Sequence, residues 1–93
     1  AVRTARMSAA FELHPRLAAD CIVVGDLPLS RVLLMNDSRF AWCILVPRHA
    51  ALRELHDLGP ADGHRLFDEI GQVSGALLAT CGADKLNVGA LGN

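Results

Sequence analysis

Three groups of residues in this chain have types and spacings that bear on chemistry. They are a carboxylate, Asp37, in a short polar link; four histidines, His14, His49, His56 and His64; and a glycine-rich run, Lys85-Leu86-Asn87-Val88-Gly89-Ala90-Leu91-Gly92-Asn93. Asp37 has two readings. As a turn residue its side chain bonds its own backbone. As a ligand its carboxylate accepts hydrogen bonds from sugar hydroxyls, the pairing that positions ribose in many nucleotide sites. In the glycine-rich run, Leu86, Val88 and Ala90 alternate with Asn87 and Gly89, which predicts a short strand with the apolar three on one face. The glycines after it make either a plain turn or a place where backbone N–H groups approach an anion closely, because no Cβ stands in the way.

The histidines carry a weaker signal. His49 and His56 lie seven apart, which would put them on one helical face with Asp57 beside them. A metal site needs three or four converging ligands, and His14 and His64 belong to other segments, so exposed or capping histidines are expected and no metal. His49 follows Pro47-Arg48 and marks a strand exit. No serine stands in a G-x-S-x-G elbow and no Walker-type glycine loop is present, which removes two common enzyme classes. Cys21, Cys43 and Cys81 are odd in number and lack metal-like spacing. Small apolar neighbours around Cys43 and Cys81 predict buried, reduced thiols and therefore a cytoplasmic protein without a disulfide framework. No basic partner stands near the cysteines in sequence, so a reactive nucleophile has no support.

The elements that must position these residues follow from the apolar pattern. The 93 residues suffice for one domain with a single core. With 52% hydrophobic, 20% charged and 4% aromatic residues the profile is that of a globular protein, and no apolar run approaches the roughly 18 residues of a membrane span. A net charge of −1 without a basic stripe gives no support for nucleic-acid or membrane-surface binding. Residues 1–10 read as an N-terminal extension or cloning remnant, with Met7-Ser8 resembling a translation start. Pro15 opens a short helix to Asp20. Cys21 to Gly25 is a strand, ended by Gly25-Asp26-Leu27-Pro28. Arg31 to Asn36, almost wholly apolar, is a strand covered on both faces, and Trp42 to Val46 returns beside it as a hairpin that Pro47 closes. Residues 50–55 fit one or two helical turns. Pro60 to Cys81 is the long helix, with Leu66, Ile70, Val73, Leu77 and Cys81 on one stripe and His64, Asp68, Gln72 and Gly75 opposite. Gly82 occupies a left-handed cap position. The sum is an α+β layer with a mostly antiparallel sheet, one long packed helix and a short N-terminal helix.

Two stretches together resemble a known family. Val32-Leu33-Leu34-Met35-Asn36-Asp37 followed by Cys43-Ile44-Leu45-Val46-Pro47-Arg48-His49 is similar to the start of a histidine-triad (HIT) domain, in which a strand ends in an Asn-Asp or His-Asp pair and the next closes with an apolar-Pro-basic-His run. The stretch 85–93 resembles the strand and turn that stand just before the family's histidine motif, and the long helix lies between in the expected order. The likeness covers roughly residues 11–93, so a HIT-like domain, incomplete at its C-terminal side, is expected there.

The resemblance implies hydrolysis or transfer at the α-phosphate of nucleoside phosphates or nucleotide conjugates. A histidine of an alternating His-x-His array attacks phosphorus, and water then cleaves the nucleotidyl-histidine. It implies that Asp37 holds the ribose and that Met35, Asn36 and Ser38 line the base and sugar pocket. Asn87 is then expected near the phosphate or the catalytic histidine, and the turn containing Gly89, Gly92 and Asn93 offers backbone donors to the phosphates. No cofactor or metal is required, and homodimerisation is a family habit carried over with the resemblance. These 93 residues contain no His-x-His. No catalytic residue is therefore assigned within them, and the nucleophile is expected beyond Asn93; the alternative is a non-catalytic nucleotide-binding or scaffold domain. The link from Asp37 to Ala41 is shorter than in nucleoside phosphoramidate hydrolases of the family, which leaves the base preference open.

Overall fold

A computed structural model of the protein describes residues 11–37, 39, 41–50, 52–82 and 86–90. The expected extension at 1–10 and the expected site residues Ser38, Gly92 and Asn93 lie outside the described residues.

Helix α1, Pro15–Asp20, starts where Pro15 supplies a preset φ and His14 caps it, Nδ1 accepting from Arg16 N–H at 3.1 Å. The chain then extends into β1, Cys21–Asp26, and returns through a turn closed by Leu27 N–H donating to Ser30 C=O at 2.8 Å. Strand β2, Ser30–Met35, pairs antiparallel with β1 and with β3, Cys43–Pro47, giving a three-stranded sheet in the order β1-β2-β3. The β2–β3 ladder runs from Ser30 opposite Pro47 to Leu34 opposite Cys43. On the other side Cys21 faces Met35 and Asp26 faces Arg31, with a register shift between Val23 and Gly25. That irregularity is a bulge on an outer strand, and Ile22, Val23 and Val24 beside it are all exposed. Adjacent side chains Val32 and Leu33 point to opposite faces, and both are buried, so the central strand is covered on each side as its apolar run predicts.

After β3 the expected helical turns at 50–55 are displaced. A single 3-10 turn forms at Leu55–Asp57, because Asp57 Oδ2 accepts from the N–H groups of Arg53 and Glu54 and so fixes its start one turn later. Helix α2, Pro60–Cys81, has the predicted bounds and ends at Gly82, whose φ of 64° and ψ of 24° let its N–H reach Leu78 C=O. Leu66 is buried and Ile70, Val73 and Leu77 half-buried on the predicted stripe, whereas His64, Asp68, Gln72 and Gly75 face solvent. The sequence expectation fails in two places on this side. Cys81 at the end of the stripe is exposed rather than buried, since it sits on the last turn of the helix. Residues 86–90 form no strand: alternation assigns faces, but a strand also needs a ladder partner, and none pairs with them among the described residues. Leu86 is half-buried, while Val88 is 67% exposed and Ala90 is exposed, so these three do not share a core face.

Candidate functional site

The site begins at the exit of β2. Met35 closes the strand, its N–H donating to Trp42 C=O at 2.9 Å, and Asn36 N–H donates to Asp20 C=O at 3.0 Å, which anchors the loop to the end of α1. Asp37 N–H turns back to Met35 C=O at 2.8 Å. The Asp37 carboxylate then accepts from Arg39 three times, from the backbone N–H and Nε at Oδ1, 3.0 and 3.1 Å, and from Nη2 at Oδ2, 2.9 Å. The turn reading of Asp37 is thus realised in the structure. Arg39 holds the carboxyl below the usual carboxylate range, first through the guanidinium hydrogen bonds and then through the backbone N–H, so it is ionised at neutral pH. Two carboxylate oxygens offer about four acceptor directions, and three bonds leave capacity for a hydroxyl.

The expected site residues fall into two groups. Met35, Asn36 and Asp37 are contiguous, with Asn36 exposed and Met35 and Asp37 half-buried. Asn87 and Gly89 are exposed, and no hydrogen bond joins them to the 35–37 segment among the described residues.

A second cluster, absent from the sequence reading, holds the opposite end of β2. Glu69 of α2 is 3% exposed, and its carboxylate accepts from Leu29 N–H at 2.8 Å and Ser30 N–H at 3.0 Å. Arg48 grips the same turn from the other side: Nη2 donates to Leu27 C=O at 2.7 Å and to Pro28 C=O at 2.9 Å, and its backbone N–H donates to Leu29 C=O. Asp26 completes the cluster, bonding Arg31 Nε at 3.0 Å and lying 3.6 Å from Arg48 Nη1; the Arg31 hydrogen bond is the main reason its carboxyl titrates low. Arg31 in turn lies over the Phe11 ring at 5.6 Å. Ser30 Oγ and Arg48 Nε are buried without a hydrogen-bond partner among the described residues. The signal that could have found Glu69 is a carboxylate placed between Leu66 and Ile70 on the apolar arc, where a charge requires a buried partner.

The histidines do not share a helix. His49 follows β3 and its Nε2 lies 3.0 Å from Asp62 Oδ2 in the first turn of α2, although the N–H direction is not aligned for a hydrogen bond. His49 is therefore half-buried against the helix rather than exposed. His56 is exposed in the 3-10 turn, 3.8 Å from Asp57. Among the described residues no three His, Cys, Asp or Glu side chains come together as a metal site would require. Between the sheet and the second half of α2 lies an open, mainly apolar cleft of about 340 Å³, lined by Val24, Val32 and Cys43 from the strands and by Val73, Leu77 and Thr80 from the helix.

Comparison with known proteins bears directly on this architecture. The HIT domain family model matches residues 16–93. A histidine triad protein from Bradyrhizobium japonicum shares 46% identity with a TM-score of 0.87, covering 90% of this chain and 63% of its own. One from Marinobacter aquaeolei VT8 shares 45% with a TM-score of 0.86, covering 90% and 61%. One from Sinorhizobium meliloti 1021 shares 43% with a TM-score of 0.89, covering 92% and 64%. Comparison with curated proteins gives no match. The chain spans less than two thirds of each of these structural neighbours, yet the matched part contains the whole arrangement of α1, three strands and α2. An α+β fold, the motif order and a match over residues 16–93 converge: the chain belongs to the histidine triad (HIT) family.

Proposed function

We propose that the protein is a nucleotide hydrolase or transferase acting at the α-phosphate of nucleoside phosphates or nucleotide conjugates, with a histidine nucleophile supplied by sequence beyond residue 93. The support that carries the reading is the family match over residues 16–93. In this reading Asp37 is the ribose ligand. Its carboxylate is ionised and oriented by Arg39 before any substrate arrives, so it accepts a sugar hydroxyl without first losing rotamer freedom. Met35, Asn36 and Ser38 form the rim of the base and sugar pocket. Asn87 and the turn containing Gly89, Gly92 and Asn93 offer donors to the phosphates, where negative charge develops on the phosphoryl oxygens. The protein works as a cytoplasmic homodimer, without metal or cofactor.

The test is turnover of adenosine phosphoramidate and of a dinucleoside polyphosphate by the full-length protein, together with nucleotide binding by an Asp37→Ala variant. Turnover is expected with the parent. Asp37→Ala is expected to bind nucleotide on the order of tenfold more weakly, the scale of one lost charge-assisted hydrogen bond. Equal affinity in variant and parent removes Asp37 from the site, and absence of turnover leaves nucleotide binding without catalysis.

A further inference from the structure

Three contacts fix how α2 runs against β3. Near its start Asp62 meets His49, just beyond the end of the strand. Two turns later Glu69 binds the backbone of Ser30, which pairs with Pro47 at the last position of the strand. Further on, Val73, Ala76, Leu77 and Thr80 line the cleft together with Cys43, the first residue of the strand. The helix is therefore antiparallel to β3, and its final turn reaches the level of Cys43. Cys81 follows Leu77 by four residues and so continues the stripe that faces the sheet.

We propose that Cys43 and Cys81 form a reversible disulfide that ties the C-terminal end of α2 to the first residue of β3 across the open cleft. Burial raises the Cys43 thiol, and the neighbouring Cys81 thiol adds to that rise, in keeping with the placement of both at the same end of the cleft. The cleft is open, which leaves the helix end room to close towards Cys43 as the bridge requires. Cys81, the exposed member, attacks a hydroperoxide as its thiolate. With hydrogen peroxide the O–O bond breaks, a sulfenic acid forms and the released hydroxide becomes water on taking up a proton. Cys43 then attacks that sulfur: the S–S bond forms, the S–O bond breaks, and a second water leaves with the Cys43 proton. Two thiols and one peroxide give one disulfide and two waters; a dithiol reverses the step by exchange. Gly82 follows Cys81 directly, so the bridge also fixes the point from which the chain leaves α2 towards Asn87.

Trypsin separates the three cysteines into peptides 17–31, 40–48 and 66–85, so each pairing has its own mass. The protein, at low micromolar concentration, is treated with hydrogen peroxide, alkylated and digested. The expected product is peptide 40–48 joined to 66–85 within one chain, released by dithiothreitol and unchanged in Cys21→Ser. The oxidised protein is expected to unfold at a temperature higher by about 5 °C or more, since the bridge closes a long loop of the unfolded chain. Both effects must vanish in Cys81→Ser, which alters only an exposed side chain. A bridge through Cys21, linkage only between chains, or alkylation of both Cys43 and Cys81 after peroxide treatment would overturn the proposal.

Discussion

Glu69 sits on a helix face otherwise lined by Leu66, Ile70 and Val73, and both its oxygens are taken by the N–H groups of Leu29 and Ser30. Replacing one oxygen by an amide NH2 sets a donor against a donor in a site closed to water. Glu69→Gln is therefore expected to destabilise the fold by about 1–3 kcal/mol, read as a lower midpoint of urea unfolding. Ser30 provides the contrast. Its hydroxyl is buried with no partner among the described residues, so its desolvation is not repaid. Ser30→Ala keeps the backbone N–H for Glu69 and is expected to leave the urea midpoint unchanged or to raise it by up to about 1 kcal/mol in stability. The sequence makes Asp37 visible, because an acidic residue in a tight polar link has few roles. It hides Glu69, because the groups that satisfy it stand 39 and 40 residues earlier and belong to the backbone, which leaves no mark in side-chain pattern.

At the scale of elements, local chemistry that stays local was legible. Pro15 and Pro60 each open the helix predicted for them, and Gly82 closes α2 in the left-handed conformation. A Cβ at Gly82 would meet nothing within 4 Å, so Gly82→Ala tests the backbone angle alone. The expected cost is about 1 kcal/mol, from the strain of a positive φ in an L residue, and thermal unfolding of the pair of proteins measures it. The β2–β3 hairpin was legible as well, since two apolar runs separated by a short polar link leave few alternatives to antiparallel pairing, whereas the pairing of β1 with β2 emerges only in the structure. Residues 86–90 were misread for the complementary reason. Leu86, Val88 and Ala90 have the spacing of a strand, but pairing is a property of two segments, and the spacing of one says nothing about its partner. The same limit displaced the turn after β3: Asp57 decides where it starts by capturing two N–H groups upstream of it.

For the molecule as a whole, charge matters most in acid. Asp26, Asp37 and Asp57 all titrate below the ordinary carboxylate value, the first two through hydrogen bonds from Arg31 and Arg39 and the third through the backbone N–H groups of Glu54 and Arg53. A carboxyl whose folded pKa is depressed stabilises the fold above its unfolded value, about 3.9, and that contribution is lost as the pH falls through the folded value. The urea midpoint is thus expected to be independent of these three groups above about pH 5 and to fall below about pH 4. Following it by circular dichroism between pH 3 and 8, on the order of one point per half unit, gives the profile; a decline that begins at neutral pH would assign the acid response to other groups. The ion pairs themselves are partly solvated, so their separate worth is small and their effect on the profile is collective.

The bulge in β1 bears on how the protein behaves at high concentration. Ile22, Val23 and Val24 form a short, uncharged, β-branched run on an outer strand, and such a run is a template onto which another molecule can add a strand. By twisting the strand after Val23, the bulge limits the straight edge to about three residues, too short for a run of six or seven to stack in register. A substitution that restored a flat β1 would lengthen that straight edge and with it the template for strand addition.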